Sequence, residues 1–213
     1  MKEIFFIILS YLLGSIPFGF LITKIFTGEN ILEIGWKKTS GSNVYKNVGK
    51  WQGILTGILD LGKGYLAVYL AKIFSLPSQI QALCGVAAIF GHNWSIFLKF
   101  AGGRGIGTFT GCVLALYPKA ILFSIFPTLV LLFLLNSPLA TIFFLLSLIA
   151  FSVYYQIEGL FLFSLLSLFP IFLKRLSPIS DISLKDKKLI KNRLLYDQDN
   201  FVPTRIEKWI SKQ

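Results

Sequence analysis

Residues Gly91–Thr108 read GHNWSIFLKFAGGRGIGT. This stretch ends a long apolar run and carries the only histidine of the chain, His92, together with a glycine-flanked arginine, Arg104. Gly102, Gly103, Gly105 and Gly107 leave few side chains to block the backbone amides. The amides can therefore turn toward an anion while the guanidinium adds a planar fork of donors, which suits a phosphate group. The same spacing also fits a plain tight turn between two packed helices, with Arg104 as a charge on the cytoplasmic flank. The apolar runs on either side of the stretch decide the fold class.

Of the 213 residues 54% are hydrophobic and 15% charged, and the mean hydropathy is +0.70. A soluble domain is roughly 45–50% apolar, so this composition describes an integral membrane protein. The 21 Phe suit lipid-facing surface, and the four Trp fall near span ends, where indole favours the interface. Taking about 20 residues per crossing, the runs Ile4–Phe26, Trp51–Phe74, Gln79–Leu98, Ile106–Tyr117, Ala120–Leu135, Leu139–Tyr155 and Gly159–Leu173 predict an all-α bundle of about seven transmembrane helices. Placing Thr27–Lys50, Lys99–Arg104 and the tail on one side needs an odd number of crossings, which puts the N-terminus outside and the basic tail in the cytoplasm. No small-residue cleavage site follows the first run, which is read as a retained span. Residues 1–176 form the membrane domain, and 177–213 a basic tail of the same domain.

The net charge of +11 comes from residues in the gaps between runs and in the tail. It reads as topology plus attraction to anionic headgroups, not as a nucleic-acid surface. Cys84 and Cys112 lie inside apolar runs without CxxC spacing and are expected to be buried thiols. No zinc pattern, Walker loop or dinucleotide fingerprint occurs, and no metal or cofactor is expected.

Further out from the glycine loop, three polar clusters stand out. The first loop holds Lys38, Thr39-Ser40-Gly41-Ser42-Asn43 and Lys46, small hydroxyl and amide donors beside lysines, suited to a phosphate or polyol. Asp60 and Lys63 sit deep in the second run, where each charge costs roughly 2.5–3.5 kcal/mol to insert. At i and i+3 they share a helix face, so they are expected to pair and to form a polar wall. In the tail, Leu184, Lys188, Lys191 and Leu195 fall at helical spacing and predict a short amphipathic helix on the headgroups. His92 has no carboxylate beside it in sequence; a Ser-His-Asp arrangement would need tertiary contacts.

Taken in order, Gly14-Ser15-Ile16-Pro17-Phe18-Gly19, then Asn43-Val44 with Lys46 and Gly49-Lys50, then Asp60-Leu61-Gly62-Lys63-Gly64, then Gly91–Thr108 resemble GSIPFG, TNVxRxxGK, DxxKG and GHxxPxFLKFxGGKGxxT. These are patterns of the bacterial acyl-phosphate:glycerol-3-phosphate acyltransferases. The resemblance implies a multi-pass enzyme of the bacterial inner membrane that transfers an acyl group from acyl phosphate to the sn-1 hydroxyl of glycerol 3-phosphate. The product is lysophosphatidic acid, and neither coenzyme A nor acyl carrier protein is required. It also implies a metal-free site at the cytoplasmic face, with a substrate phosphate oxygen taking the hydroxyl proton. The expected site comprises Ser40, Ser42, Asn43, Lys46 and His92 at the chemistry. Lys38, Lys63, Lys99, Gly102, Gly103, Arg104 and Gly105 are expected at the phosphate, and Asp60 and Asp199 in the wall. The chain departs from these patterns: Trp36 stands at a motif serine, Lys38 at an asparagine and Lys46 at an arginine, while the tail pattern HRxNIxRLLxGTE is only echoed over Lys187–Asp199. These departures motivate an alternative, a non-catalytic membrane binder or transporter of a phosphorylated solute or headgroup.

Overall fold

Pro17 sets the first boundary. Its missing N–H and its clash with the preceding turn end α1 (Lys2–Ser15), and Ile16 takes an extended ψ of 115° before α2 (Phe18–Thr27) begins. The carbonyls at this break are met by side chains from elsewhere: Lys63 Nζ donates to Ile16 O at 2.8 Å and Ser95 Oγ to Ser15 O at 2.5 Å. The first span, Lys2–Thr27, is thus kinked at Pro17 into two helices, and Lys63 is part of what holds the break.

The computed structural model describes residues 1–178 and 186–211, the side chain of Lys208 excepted. The chain continues through α3 (Gly41–Asn47), α4 (Lys50–Ile73), α5 (Ser78–Asn93), a 3-10 turn at Ile96–Leu98, α6 (Ile106–Leu116), α7 (Pro118–Leu134), α8 (Ser137–Tyr154), α9 (Glu158–Arg175), α10 (Lys187–Tyr196) and α11 (Arg205–Ile210). Among the described residues all regular structure is helical, so the molecule is an all-α membrane bundle. By length and composition four stretches, Lys2–Thr27, Lys50–Ile73, Ser78–Leu98 and Ser137–Tyr154, suffice to cross a bilayer. Helix α6 does not, because eleven residues rise only about 16 Å, roughly half the hydrocarbon core.

The tightest packing is between α4 and α6 and between α1 and α5. Gly64 lies against the Thr108 backbone and Gly111 against that of Leu61, so α4 and α6 approach through reciprocal glycines that no larger residue could replace. Around them Phe109 stacks on Phe163 at 5.0 Å between centroids, with Val68, Ile89, Leu145 and Leu148 fully buried. Cys84 and Cys112 are free and buried.

A short helix stands in the tail, as its spacing predicted. Helix α10 is capped by the Asp186 carboxylate, which accepts from Leu189 N–H. It buries Asn192 and Arg193 against the end of α9, where Arg193 donates to Leu176 O at 3.1 Å and Pro178 O at 2.9 Å. Lys188 and Lys191 remain exposed. Asn192 donates to Asp199 O at 3.0 Å, and Leu189, Ile190, Leu194 and Leu195 of the same helix are half-buried. Leu184 lies outside the described residues.

Candidate functional site

A cleft of about 800 Å³ opens where five elements end together. Ser40, Gly41, Ser42, Tyr45 and Lys46 come from α3 and its cap, and Gly53, Ile54, Gly57 and Asp60 from one face of α4. Arg104, Gly105, Ile106 and Gly107 come from the start of α6, Ser137, Pro138 and Thr141 from the start of α8, Ile171 and Arg175 from the end of α9, and Tyr196, Asp197 and Gln198 from the end of α10. Trp36 and His92 complete the lining. Two helices of more than ten residues, α6 and α8, present their N-terminal turns to it, so both dipoles favour an anion; α6 has no side-chain cap and also offers amides, whereas in α8 Asn136 takes the Leu139 N–H and Pro138 has none.

Of the expected residues, the structure gathers Ser40, Ser42, Lys46, Asp60, His92, Arg104 and Gly105 around this space. The hydroxyls of Ser40 and Ser42 lie 3.4 Å apart. Asp60 and Lys63 pair at 2.9 Å as their spacing predicted, and the same carboxylate oxygen stands 3.4 Å from His92 Nδ1. This is the tertiary contact the sequence could not supply. Lys63, however, is spent on Asp60 and the Ile16 carbonyl and does not line the cleft.

Gly102 and Gly103 lie behind the cleft, running over His92: Gly103 N–H donates to His92 O at 3.0 Å, and a Cβ on Gly103 would strike the His92 ring. The left-handed position in this loop is Gly105, with φ 78°. Asn43 is fully buried and turned away. Its Oδ1 accepts from Trp36 N–H at 3.0 Å while its amide donates to Ile34 O at 3.1 Å and Lys38 O at 2.8 Å, so it organises the first loop instead of facing a substrate. Lys99 is exposed outside the cleft. Asp199 is exposed too and pairs with Arg193 at 2.6 Å, a hydrogen bond that holds its carboxyl below the usual range.

Two charged residues of the cleft come from the second half of the chain, Arg175 and Asp197. Arg175 donates to Leu194 O at 2.7 Å and Pro138 O at 3.2 Å, joining α8, α9 and α10. Asp197 caps α10 in a left-handed conformation with its carboxylate turned inward. It forms an ion pair with Arg104 Nε, lies 3.8 Å from Lys38 Nζ, and accepts from Arg104 Nη2 through its carbonyl at 3.3 Å. Burial pushes the Asp197 carboxyl up against the pull of Arg104, Lys38 and Arg175. Burial, then repulsion from Arg104, brings the Lys38 ammonium down to about 8 despite the opposing pull of Asp197. Burial likewise lowers Arg104, opposed by Asp197. A charge-balance signal was present, since an uncompensated cluster of cations needs an acid, but nothing in the sequence selected Asp197 from the acids of the tail.

A family model described as glycerol-3-phosphate acyltransferase matches residues 4–183. Among relatives, a glycerol-3-phosphate acyltransferase of Prochlorococcus marinus (strain MIT 9301) is 43% identical over 114 residues, 54% of this chain and 58% of that protein. One of Helicobacter pylori (strain ATCC 700392 / 26695) is 40% identical over 123 residues, 54% of this chain and 56% of that protein. The matched stretch thus spans a little over half the length of these relatives. The crystal structure of PlsY (YgiH), an integral membrane glycerol 3-phosphate acyltransferase in its glycerol 3-phosphate form, superposes with a TM-score of 0.75 at 30% identity, covering 84% of this chain and 91% of that one.

Proposed function

The chain belongs to the glycerol-3-phosphate acyltransferase family, and on that premise we propose that it transfers an acyl group from acyl phosphate to the sn-1 hydroxyl of glycerol 3-phosphate, without coenzyme A or acyl carrier protein. The carrying observation is the convergence of Lys46, Arg104 and Arg175 with two helix N-termini on one cleft. Both substrates bear phosphate dianions, which these charges and amides neutralise. The hydroxyl oxygen attacks the acyl carbonyl, the carbonyl carbon–oxygen bond to phosphate breaks, and the proton passes to a phosphate oxygen. Lysophosphatidic acid and hydrogen phosphate leave, so atoms and charge balance with no external base. Ser40 and Ser42 orient the glycerol hydroxyls, the α6 amides stabilise the oxyanion, and Asp60 fixes the His92 ring in the wall. Lys38 acts through Asp197. The cleft faces the cytoplasm with the basic tail, the N-terminus lies outside, and the membrane is the bacterial inner membrane.

Purified protein in detergent, given acyl phosphate and labelled glycerol 3-phosphate, is expected to form lysophosphatidic acid with neither coenzyme A nor added metal. Absence of product across detergents and lipids would reject the reading. Trp36, standing in the cleft at the motif serine, favours a second reading, binding without turnover. Calorimetric binding of glycerol 3-phosphate by protein that forms no product would select it.

A further inference from the structure

We infer that Trp36 is a positioning residue of the anion site, its indole holding Lys46 and Arg104 at one wall of the cleft without consuming their charge. The inference rests on the proposed phosphate chemistry of the same cleft. Lys46 Nζ lies 5.3 Å and Arg104 Cζ 5.8 Å from the Trp36 ring centroid. Both distances lie within cation–π range, where the ring quadrupole attracts the cation. The two cations come from separate elements, α3 and the loop before α6, and repel each other; the ring they share gives each a neighbour. Lys46 is exposed, and a long exposed side chain samples many rotamers unless something orders it.

The backbone that carries the indole is fixed. Buried Asn43 takes the Trp36 N–H and donates to the carbonyls of Ile34 and Lys38, pinning the backbone on both sides. Asp197 offers the instructive contrast. It also grips Arg104, but as a carboxylate it cancels the charge an arriving phosphate must find. A neutral π system orders the same guanidinium and leaves that charge in place.

The test uses Trp36→Leu and Trp36→Phe in the full chain purified in detergent. Binding of glycerol 3-phosphate and of inorganic phosphate is followed by tryptophan emission and calorimetry, beside steady-state acyl transfer. Trp36→Leu is expected to weaken both anions about fivefold, equivalent to about 1 kcal/mol. The KM for glycerol 3-phosphate should rise in parallel while kcat stays within about twofold. Trp36→Phe, which keeps a π face, should recover most of the loss. The wild-type emission change on adding phosphate should vanish in Trp36→Phe although Trp51, Trp94 and Trp209 remain. Unchanged binding in Trp36→Leu, a phenylalanine variant as weak as the leucine one, or an emission change that survives in Trp36→Phe would each overturn the assignment. If Trp36→Leu does not fold, the emission comparison between wild type and Trp36→Phe still decides. Anion binding with the Trp36 signature but no product would reject acyl transfer and leave this inference standing; binding of neither anion would remove both.

Discussion

Helices α4 and α7 are both apolar enough for a membrane, yet they do opposite jobs. Of the 24 residues of α4, eight are buried, among them Asp60 and Lys63; α7, with 17, buries only Ala120 and Ser124. Helix α4 presses glycine faces onto α3 and α6 and turns Asp60 and Lys63 inward, where they pair. Helix α7 carries Leu122, Phe126 and Phe133 at more than 70% exposure, as a lipid-facing wall should. In a bilayer, apolar surface gains nothing from burial against another apolar surface. Position in the bundle is therefore specified by small and polar residues, and a helix without them sits at the rim.

The sharpest way to break this contrast is to damage each helix once. Asp60→Asn leaves the buried Lys63 ammonium without its carboxylate and His92 Nδ1 without its neighbour. Removing one partner of a buried pair costs about 3–5 kcal/mol, so thermal unfolding in detergent should show a large loss of stability. Leu122→Ala on α7 should stay within about 0.5 kcal/mol of wild type. Equal losses would mean that the polar wiring of α4 is not what holds the bundle.

A second test sets the motif-bearing half of the chain against the other in the cleft itself. Arg104→Ala removes up to two charge-assisted hydrogen bonds to phosphate, worth roughly 1.5–3 kcal/mol each. Activity should fall at least about tenfold, and Arg104→Lys should keep part of it because the charge stays while the fork goes. Both arginines already donate within the fold, Arg104 to Asp197 and Arg175 to the carbonyls of Leu194 and Pro138, but Arg104 lies beside the uncapped N-terminus of α6, so Arg175→Ala should cost less, only severalfold in kcat/KM. Were Arg175→Ala as damaging as Arg104→Ala, the anion site would have to be centred at the α8–α9 end of the cleft.

What could be read in advance follows the same division. Run lengths and hydropathy placed the helices, because transfer to lipid is a local property of the sequence, and the short run expected at Ile106–Tyr117 is α6, Ile106–Leu116. The Asp60–Lys63 pair was legible because i and i+3 share a face. The approach of His92 to Asp60 was not, since it needs α4 and α5 side by side. Asn43 was expected at the chemistry because an amide beside glycine and serine suits a phosphate equally well, and only burial shows that it bonds the loop backbone. Asp197 and Arg175 escaped because each is an ordinary charged residue at a helix end until the fold turns it inward.

The smallest expected effect probes the bridge between the two halves, Lys38 with Asp197. The Lys38 pKa is about 8 instead of the ordinary 10.5, first through burial and then through Arg104. In the unfolded chain the ammonium keeps its proton to about 10.5, so between pH 8 and 10.5 the unfolded state binds more protons and Lys38 contributes stability that rises with pH. Substrate affinity should run the other way. A phosphate monoester is already dianionic above about pH 6, so between pH 7 and 9.5 the ligand charge is constant while Lys38 becomes neutral. Asp197 then loses one of its cations and bears more fully on Arg104, which has less charge left for phosphate. The KM for glycerol 3-phosphate should climb about two- to fivefold across that window with an inflection near 8, and Lys38→Met, which cannot titrate, should sit at the higher value throughout. A limb that persists unchanged in Lys38→Met would assign the titration to another group and cut the proposed link from the first loop to the tail.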